Sequence, residues 1–325
     1  MKKAWTVNEK LLDKIIRHSV YIEKFKTGEV RKMLPLLRRM LSSLSDKLIV
    51  DLAKISPEKL KTIWKIKHLR GIIDSVDRMM AAGMDHIRGD LVDRLADLAE
   101  WEAKWNAGTI ERTIPADISL NLPSIEVIKK LVLTKPMEGH KLDTWLKSYS
   151  ISVRNRMMKG IKQGIIAGES LPNIAKRLGN VEKTTQKQLQ YIARTAVSSV
   201  VHAAREEVFK ANDDIVKGVM WVSTLDERTT EECMGLDGRT FPVDEGPRPP
   251  IHFNCRSTVV PIIASWQEMG IEAPPEATRA SMRGEVPEKL TYKNWLNKQS
   301  QEILDKIGNK KPMTMKELKA EGIID

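Results

Sequence analysis

The sequence predicts an α+β protein: a mostly α-helical N-terminal two-thirds, followed by a small antiparallel sheet near the C-terminus. Three observations carry that prediction. Apolar residues recur at three- and four-residue spacings through most of the chain up to Asn212. At Val216 the pattern changes to alternation among β-branched and aromatic residues, as in "KGVMWVSTLD". Methionine and leucine dominate the first hundred residues, where β-branching is sparse, and that suits helix packed on helix.

The elements follow in order. "NEKLLDKIIRHSVYIEKF" sets Leu11, Leu12, Ile15, Ile16 and Val20 on one stripe with lysines outside it. "VRKMLPLLRRMLSSLSDKLIVDLAKI" continues the period, with Pro35 marking a helix start or a kink. Ser56-Pro57-Glu58 opens another helix, because serine caps and proline fits a first turn. Ile72 to Trp105 reads as one long helix, bent or broken near Gly83 or Gly89. The helical period is lost after Trp105, and two prolines mark a linker at 111–125. Ser124 caps a short helix, and Pro136–Gly139 is a turn. Leu142–Ala167 is an amphipathic helix ending at Gly168. Ser170 starts a helix that stops at Gly179, and Lys183–Asn212 is the next. Three short strands follow: "KGVMWVSTLD", then "LDGRTFPV" with its Asp-Gly turn, then "CRSTVVPIIA". The chain thus divides into a basic helical region (1–110), the linker (111–125), an α+β domain (126–265) and a polar C-terminal tail with a short helix (266–325).

The net charge of +11 is unevenly placed. Residues 1–70 hold 18 Lys/Arg against 7 Asp/Glu, residues 71–110 hold 4 against 8, and the rest 32 against 28. A basic helical surface suits a phosphate backbone or an acidic protein partner, or is an ordinary solvated face. Lys2, Lys3, Lys24, Lys26, Arg31, Lys32, Arg38 and Arg39 are the candidate contacts with DNA or a partner. Two cysteines in 325 residues fit a reducing compartment, not a disulfide scaffold. No apolar run approaches the ~18 residues of a membrane span. The first twenty residues lack a signal peptide's apolar stretch, which leads to the expectation of a cytoplasmic protein. Gly164 and Gly168 lack the Gly-Lys-Ser/Thr of a phosphate loop, and no helix-turn-helix or RNA-binding signature is present. Trp64, Trp101, Trp105, Trp145 and Trp221 sit among apolar positions and read as core or interface anchors.

Residues 193–262 carry a resemblance to a known family. The residues concerned are Ala193-Arg194-Thr195, the strand Trp221–Leu225, and Asp226-x-Arg228-Thr229. They continue with Cys233-x-x-Leu236-Asp237-Gly238 and Pro249-Pro250-x-His252-x-x-Cys255-Arg256-Ser257. In order, spacing and residue type this block resembles the Mu-F-like phage head morphogenesis domain, and the likeness extends over roughly residues 125 to 265. The resemblance implies a minor head protein of a tailed bacteriophage, a virion structural protein and not an enzyme. It implies action in head morphogenesis at the portal vertex or capsid interior. Its partners would be the portal protein and other head or internal virion proteins, with double-stranded DNA contacted during packaging or ejection. The expected location is the virion head, and the host cytoplasm during assembly. The rival reading is a toxin-like enzyme or nuclease delivered with the DNA.

Cys233, His252 and Cys255 invite four readings. As a metal site they supply three of the four donors that structural zinc takes, with Asp226 or water as a fourth. The resemblance implies a Cys-x-x-Cys here, and Thr230 stands where its first cysteine would be. As a nucleophile, the Cys–His pair needs a depressed thiol pKa and a substrate cleft. As a disulfide, Cys233–Cys255 would close a loop of about twenty residues, worth roughly 3 kcal/mol. As a structural lock, the cysteines pack and His252 bonds an irregular backbone. An Asp226–Arg256 pair would then join the last strand to the first turn. Asp226, Arg228, Asp237, Gly238 and Arg256 are the residues of that lock. The lock is the reading adopted, with no cofactor, and structural zinc as the alternative.

Overall fold

A computed structural model describes residues 7–55, 67–114, 118–263, 278–281, 284–287, 290–299, 301–308, 310 and 312–324. Lys2, Lys3, the helix entry at Ser56-Pro57-Glu58, Trp64 and the prolines at 274 and 275 lie outside the described residues. The class is α+β. The long helices are α1 (Val7–Ala53), α2 (Lys67–Glu111), α3 (Ile125–Thr134), α4 (Leu142–Ile166) and α5 (Leu171–Lys210). After them come β1 (Val216–Val222), α6 (Glu231–Leu236), β2 (Thr240–Phe241) and β3 (Thr258–Ile263). A hairpin of β4 (Thr278–Ser281) and β5 (Gly284–Pro287) follows, then α7 (Tyr292–Leu296), α8 (Gln301–Ile307) and α9 (Met315–Ala320). No helix among the described residues is long and apolar enough to cross a membrane.

The chain forms two compact units, each discontinuous in sequence, where the sequence reading divides it serially. One takes residues 1–25, 95–138 and 197–325; the other takes 26–94 and 139–196. Among its described residues, the regular elements of the second unit are all helices. Met33, Leu37, Leu41, Leu44, Leu48 and Leu52 line one buried stripe, and Val76, Met80, Met84, Ile87 and Leu91 another. Steps of four and three residues keep each stripe on one face. Tyr149, Val153, Met157, Ile161 and Ile165 do the same for α4. Arg88 grips Asp143 with two bonds of 2.7 and 2.9 Å.

The first unit builds the sheet. Its order is β2-β1-β3, all antiparallel, with Val219 opposite Phe241 on one side and Pro261 on the other. β1 is buried on both faces, and Trp221 is fully enclosed with its indole N–H donating to Ser223 Oγ at 3.0 Å. Asn8 pins the start of α1 to the end of β3: its amide nitrogen donates to the Ile263 carbonyl, and its oxygen accepts from Ile263 N–H at 2.8 Å. Asn212 likewise holds the 118–124 segment through Asn121, at 2.7 and 2.9 Å. At the centre of this unit Glu102, fully buried, accepts from Arg205 Nε at 2.6 Å and bonds His18 Nε2 at 2.7 Å. His18 stacks on Trp105 with ring centroids 3.5 Å apart.

The structure corrects several expectations. α1 runs unbroken through Pro35, which is exposed, so water can take the carbonyl that the missing N–H releases. α2 runs unbroken through Gly83 and Gly89; a Cβ at Gly83 would lie 2.4 Å from the Met40 side chain, so this glycine makes room instead of breaking the helix. α5 is one helix through Gly179, because Ile174, Leu178, Leu189 and Ile192 continue the buried face past it. The polar tail also carries a core. Leu290, Tyr292, Trp295, Ile303 and Ile307 cluster with Leu225 and Met234, and the single expected helix is two, α7 and α8.

Candidate metal centre

Local rules bring Cys233, His252 and Cys255 together. Thr230 caps α6, its Oγ accepting from Cys233 N–H, and Glu231 and Glu232 sit in the positive first turn. Cys233 is thereby fixed at the third position of a short, buried helix. Asp237 ends that helix. Its Oδ1 accepts from Ser223 N–H at 2.8 Å and its Oδ2 from Tyr292 N–H at 2.9 Å. Gly238 turns the chain into β2 with φ +77°, a conformation that costs a side chain energy. On the other side, the loop after the Pro249-Pro250 bond makes a tight turn in which Cys255 N–H donates to the His252 carbonyl at 3.1 Å.

The three donor atoms all lie within 4.8 Å of one another. Cys233 Sγ is 3.8 Å from Cys255 Sγ and 3.3 Å from His252 Nε2. Zn–S bonds of about 2.3 Å and Zn–N bonds of about 2.0–2.1 Å require tetrahedral edges of about 3.8 Å between sulfurs and about 3.6 Å between sulfur and nitrogen. The sulfur–sulfur separation matches that edge, and the Cys233–His252 separation is about 0.3 Å shorter than its own. His252 Nδ1 bonds the Phe253 carbonyl at 3.0 Å, which leaves Nε2 as the nitrogen turned toward the sulfurs. Such a backbone partner is what orients a ligating imidazole.

Neither cysteine is in a disulfide, and both are buried. The hydrogen bond from the Cys233 thiol, against the opposing effect of burial, pulls Cys255 well below the ordinary thiol range, and His252 adds to it. The same bond and burial push Cys233 up. Burial works against a charged His252, but its contact with Cys255 outweighs burial and raises it to about 9. Cys255 is fully buried and Cys233 1% exposed, so neither sulfur presents a face to an external substrate.

The lock residues surround this cluster. Arg256 grips Asp226 with both guanidinium nitrogens, Nη2 to Oδ1 at 2.7 Å and Nη1 to Oδ2. Burial disfavours ionised Asp226, yet the Arg256 hydrogen bonds outweigh it and hold the carboxyl below its usual range. Arg228 donates its backbone N–H to Asp226 at 3.0 Å, while its side chain is 71% exposed and reaches the carboxylate only at 3.4 Å. Asp226 is thus engaged by Arg256 and is not one of the clustered donors. Tyr292 donates to the Asp226 carbonyl at 3.0 Å, a tie from the C-terminal segment that the sequence reading did not foresee.

Among the basic candidates, Lys24, Arg31, Lys32, Arg38 and Arg39 are exposed on α1. Lys26 is not: it is 3% exposed, since position 26 falls on the buried stripe, and it is withdrawn as a surface contact. Lys32 bonds Glu29 at 2.8 Å, and Arg38 reaches Gln186 at 3.3 Å. Trp221 is core, whereas Trp101 is 42% exposed.

Comparison with known proteins adds to this geometry. Residues 155–260 match the family model described as Phage Mu protein F like protein, a span that contains all three donors and the lock. Minor head protein GP7 of Bacillus phage SPP1 is 26% identical over 130 residues, 40% of this chain and 42% of that protein. The NAD(+)–arginine ADP-ribosyltransferase EFV of Enterococcus faecalis is 22% identical over 276 residues, 79% of this chain and 55% of that protein. An uncharacterized protein of Haemophilus influenzae is 26% identical over 150 residues, 43% of this chain and 32% of its own length. The chain spans between about a third and just over half of these relatives. No solved structure matches it.

Proposed function

With residues 155–260 a Mu-F-like domain, we propose that the chain is a minor head protein of a tailed bacteriophage, a structural part of the virion and not an enzyme. The observation that carries this reading is the coincidence of the matched span with a buried, cross-braced site. The Cys/His cluster ties α6 to the Pro-rich loop, the Asp226–Arg256 pair ties the turn after β1 to the residue two before β3, and both cysteines are buried. The likeness to a minor head protein points the same way. In this reading the chain acts in head assembly, bound to the portal or to other head proteins. The exposed cations of α1 are the surface for an acidic partner or for packaged DNA.

Disrupting the gene in the genome that encodes it, and counting normal heads by electron microscopy, tests the proposal. Loss of normal, infectious heads that is restored by supplying the chain in trans is the expected result. An unchanged head count and infectivity would overturn it. The likeness to an ADP-ribosyltransferase over 79% of the chain favours a second, enzymatic reading. Consumption of NAD+ by the purified chain, with transfer of ADP-ribose to an arginine acceptor, would support that reading instead.

A further inference from the structure

A cavity of about 150 Å³ opens on the second unit, lined by residues of α1, α4 and α5. Leu41, Met157 and Leu178 give it a buried apolar lining, and Ser42 and Ser45 add hydroxyls. Two carboxylates from different helices complete it, Asp46 of α1 and Glu182 of α5. Gly179 lies in the interior of α5, where glycine is among the least favourable residues. A Cβ there would meet nothing within 4 Å, so no packed neighbour demands the glycine, and the space it leaves belongs to the cavity. The carboxylates are lightly engaged. Glu182 accepts from Gln186 at 2.7 Å and has Arg38 at 3.9 Å, both through Oε1. Asp46 is exposed and makes no hydrogen bond or ion pair among the described residues, while its neighbour Lys47 turns to Asp51 at 2.7 Å.

We propose that this cavity binds a linear alkane carrying an ammonium group at each end, of the size of 1,4-diaminobutane. Volume sets the size: an apolar cavity of about 150 Å³ holds benzene, a guest of about six heavy atoms, whereas drug-sized ligands take about 300–1,000 Å³. A dinucleotide is too large for it, so this is not the NAD+ site that the enzymatic reading would need. The lining sets the chemistry. The alkyl stem lies against Leu41, Met157 and Leu178. One ammonium donates to Asp46 and the serine hydroxyls, and the other to Glu182. An inorganic cation would leave the apolar lining unused, a single ammonium would leave one carboxylate unmatched, and an anion would meet two like charges. On a chain of net charge +11 a dication is repelled at long range, so saturable binding reports a site and not diffuse attraction. The proposal rests on neither functional reading.

The test is isothermal titration calorimetry of the full chain at low salt, with 1,4-diaminobutane as the probe and butylamine as the control. One diamine per chain, with a Kd below roughly 1 mM, is expected. Butylamine, which reaches only one carboxylate, should bind about 10-fold more weakly or worse. Gly179→Leu fills the cavity and should abolish binding. Its thermal midpoint should not fall, since the change removes a glycine from a helix interior. Asp46→Asn, at an exposed position, should weaken binding about 10-fold with unchanged circular dichroism. Should Gly179→Leu fail to fold, Asp46→Asn still decides. No saturable heat with the wild-type chain would overturn the site. Wild-type affinity in a folded Gly179→Leu, or in Asp46→Asn, would overturn its location. Equal affinity for butylamine would overturn the requirement for two ammonium groups.

Discussion

Removing the Arg256 guanidinium should cost the domain about 3 kcal/mol. The Arg256 side chain is 14% exposed and that of Asp226 is 9% exposed, so the pair is close to fully desolvated. Breaking one half of such a pair typically costs about 3–5 kcal/mol, because the other charge stays buried. Here Asp226 would keep the Arg228 backbone N–H and could draw in the exposed Arg228 side chain, which puts the cost at the low end. Arg256→Met keeps an unbranched apolar stem and removes the guanidinium with its charge and donors. Arg228→Ala, at the exposed position, should cost only about 0.5 kcal/mol. Pairing Arg256→Met with Asp226→Leu should recover most of the loss, since no uncompensated charge remains. Urea unfolding followed by tryptophan fluorescence reads the difference, because Trp221 and Trp295 are both buried in the affected unit. The sign of the pH dependence also follows. Asp226 is held below its unfolded value of about 3.9, so its contribution is fully present above that pH and drains away as pH falls through the folded value. The gap between wild type and Arg256→Met should therefore close below about pH 4. Equal losses for Arg256→Met and Arg228→Ala, or a gap independent of pH, would refute the reasoning.

Other consequences are open to simpler assays. Arg205→Met should destabilise the first unit by about 3–5 kcal/mol in urea, since it strands the fully buried Glu102 with His18 alone on its carboxylate. Gly238→Ala should cost about 1–2 kcal/mol through its left-handed φ, because the nearest atom to an added Cβ, Thr291 Cγ2, leaves room at 3.8 Å. Gly235→Ala meets a different obstacle: its Cβ would lie 2.6 Å from the Met313 carbonyl oxygen. The 313–320 segment should be displaced, and limited proteolysis should cut there faster than in the wild type.

The helical stripes and the three sheet strands were legible because burial leaves a period that local sequence records. Leu11, Leu12 and Ile15, or the alternation through Trp221, announce their faces directly. Glycine and proline misled the reading where tertiary packing overrode local preference, as at Pro35, Gly83 and Gly179. The C-terminal cluster was missed because its apolar residues, Leu290, Tyr292, Trp295, Ile303 and Ile307, are sparse and interrupted by lysines. Its partners, Leu225 and Met234, are more than fifty residues upstream, and no local period marks such a contact. The site divides in the same way. Cys233, His252 and Cys255 stand out by residue type, and their pattern suggested a pairing of Asp226 with Arg256. Tyr292 and the Glu102–Arg205–His18 network do not, since each is an ordinary residue until the fold places it.

The most direct test of the central claim is to quantify this chain, by targeted mass spectrometry, in heads purified from the phage particles its genome produces. The account requires the chain to co-purify with DNA-filled heads at a fixed ratio to the major head proteins, through nuclease and high-salt washes. Its absence from those heads, with the chain recovered instead as a free protein that consumes NAD+, would contradict the account.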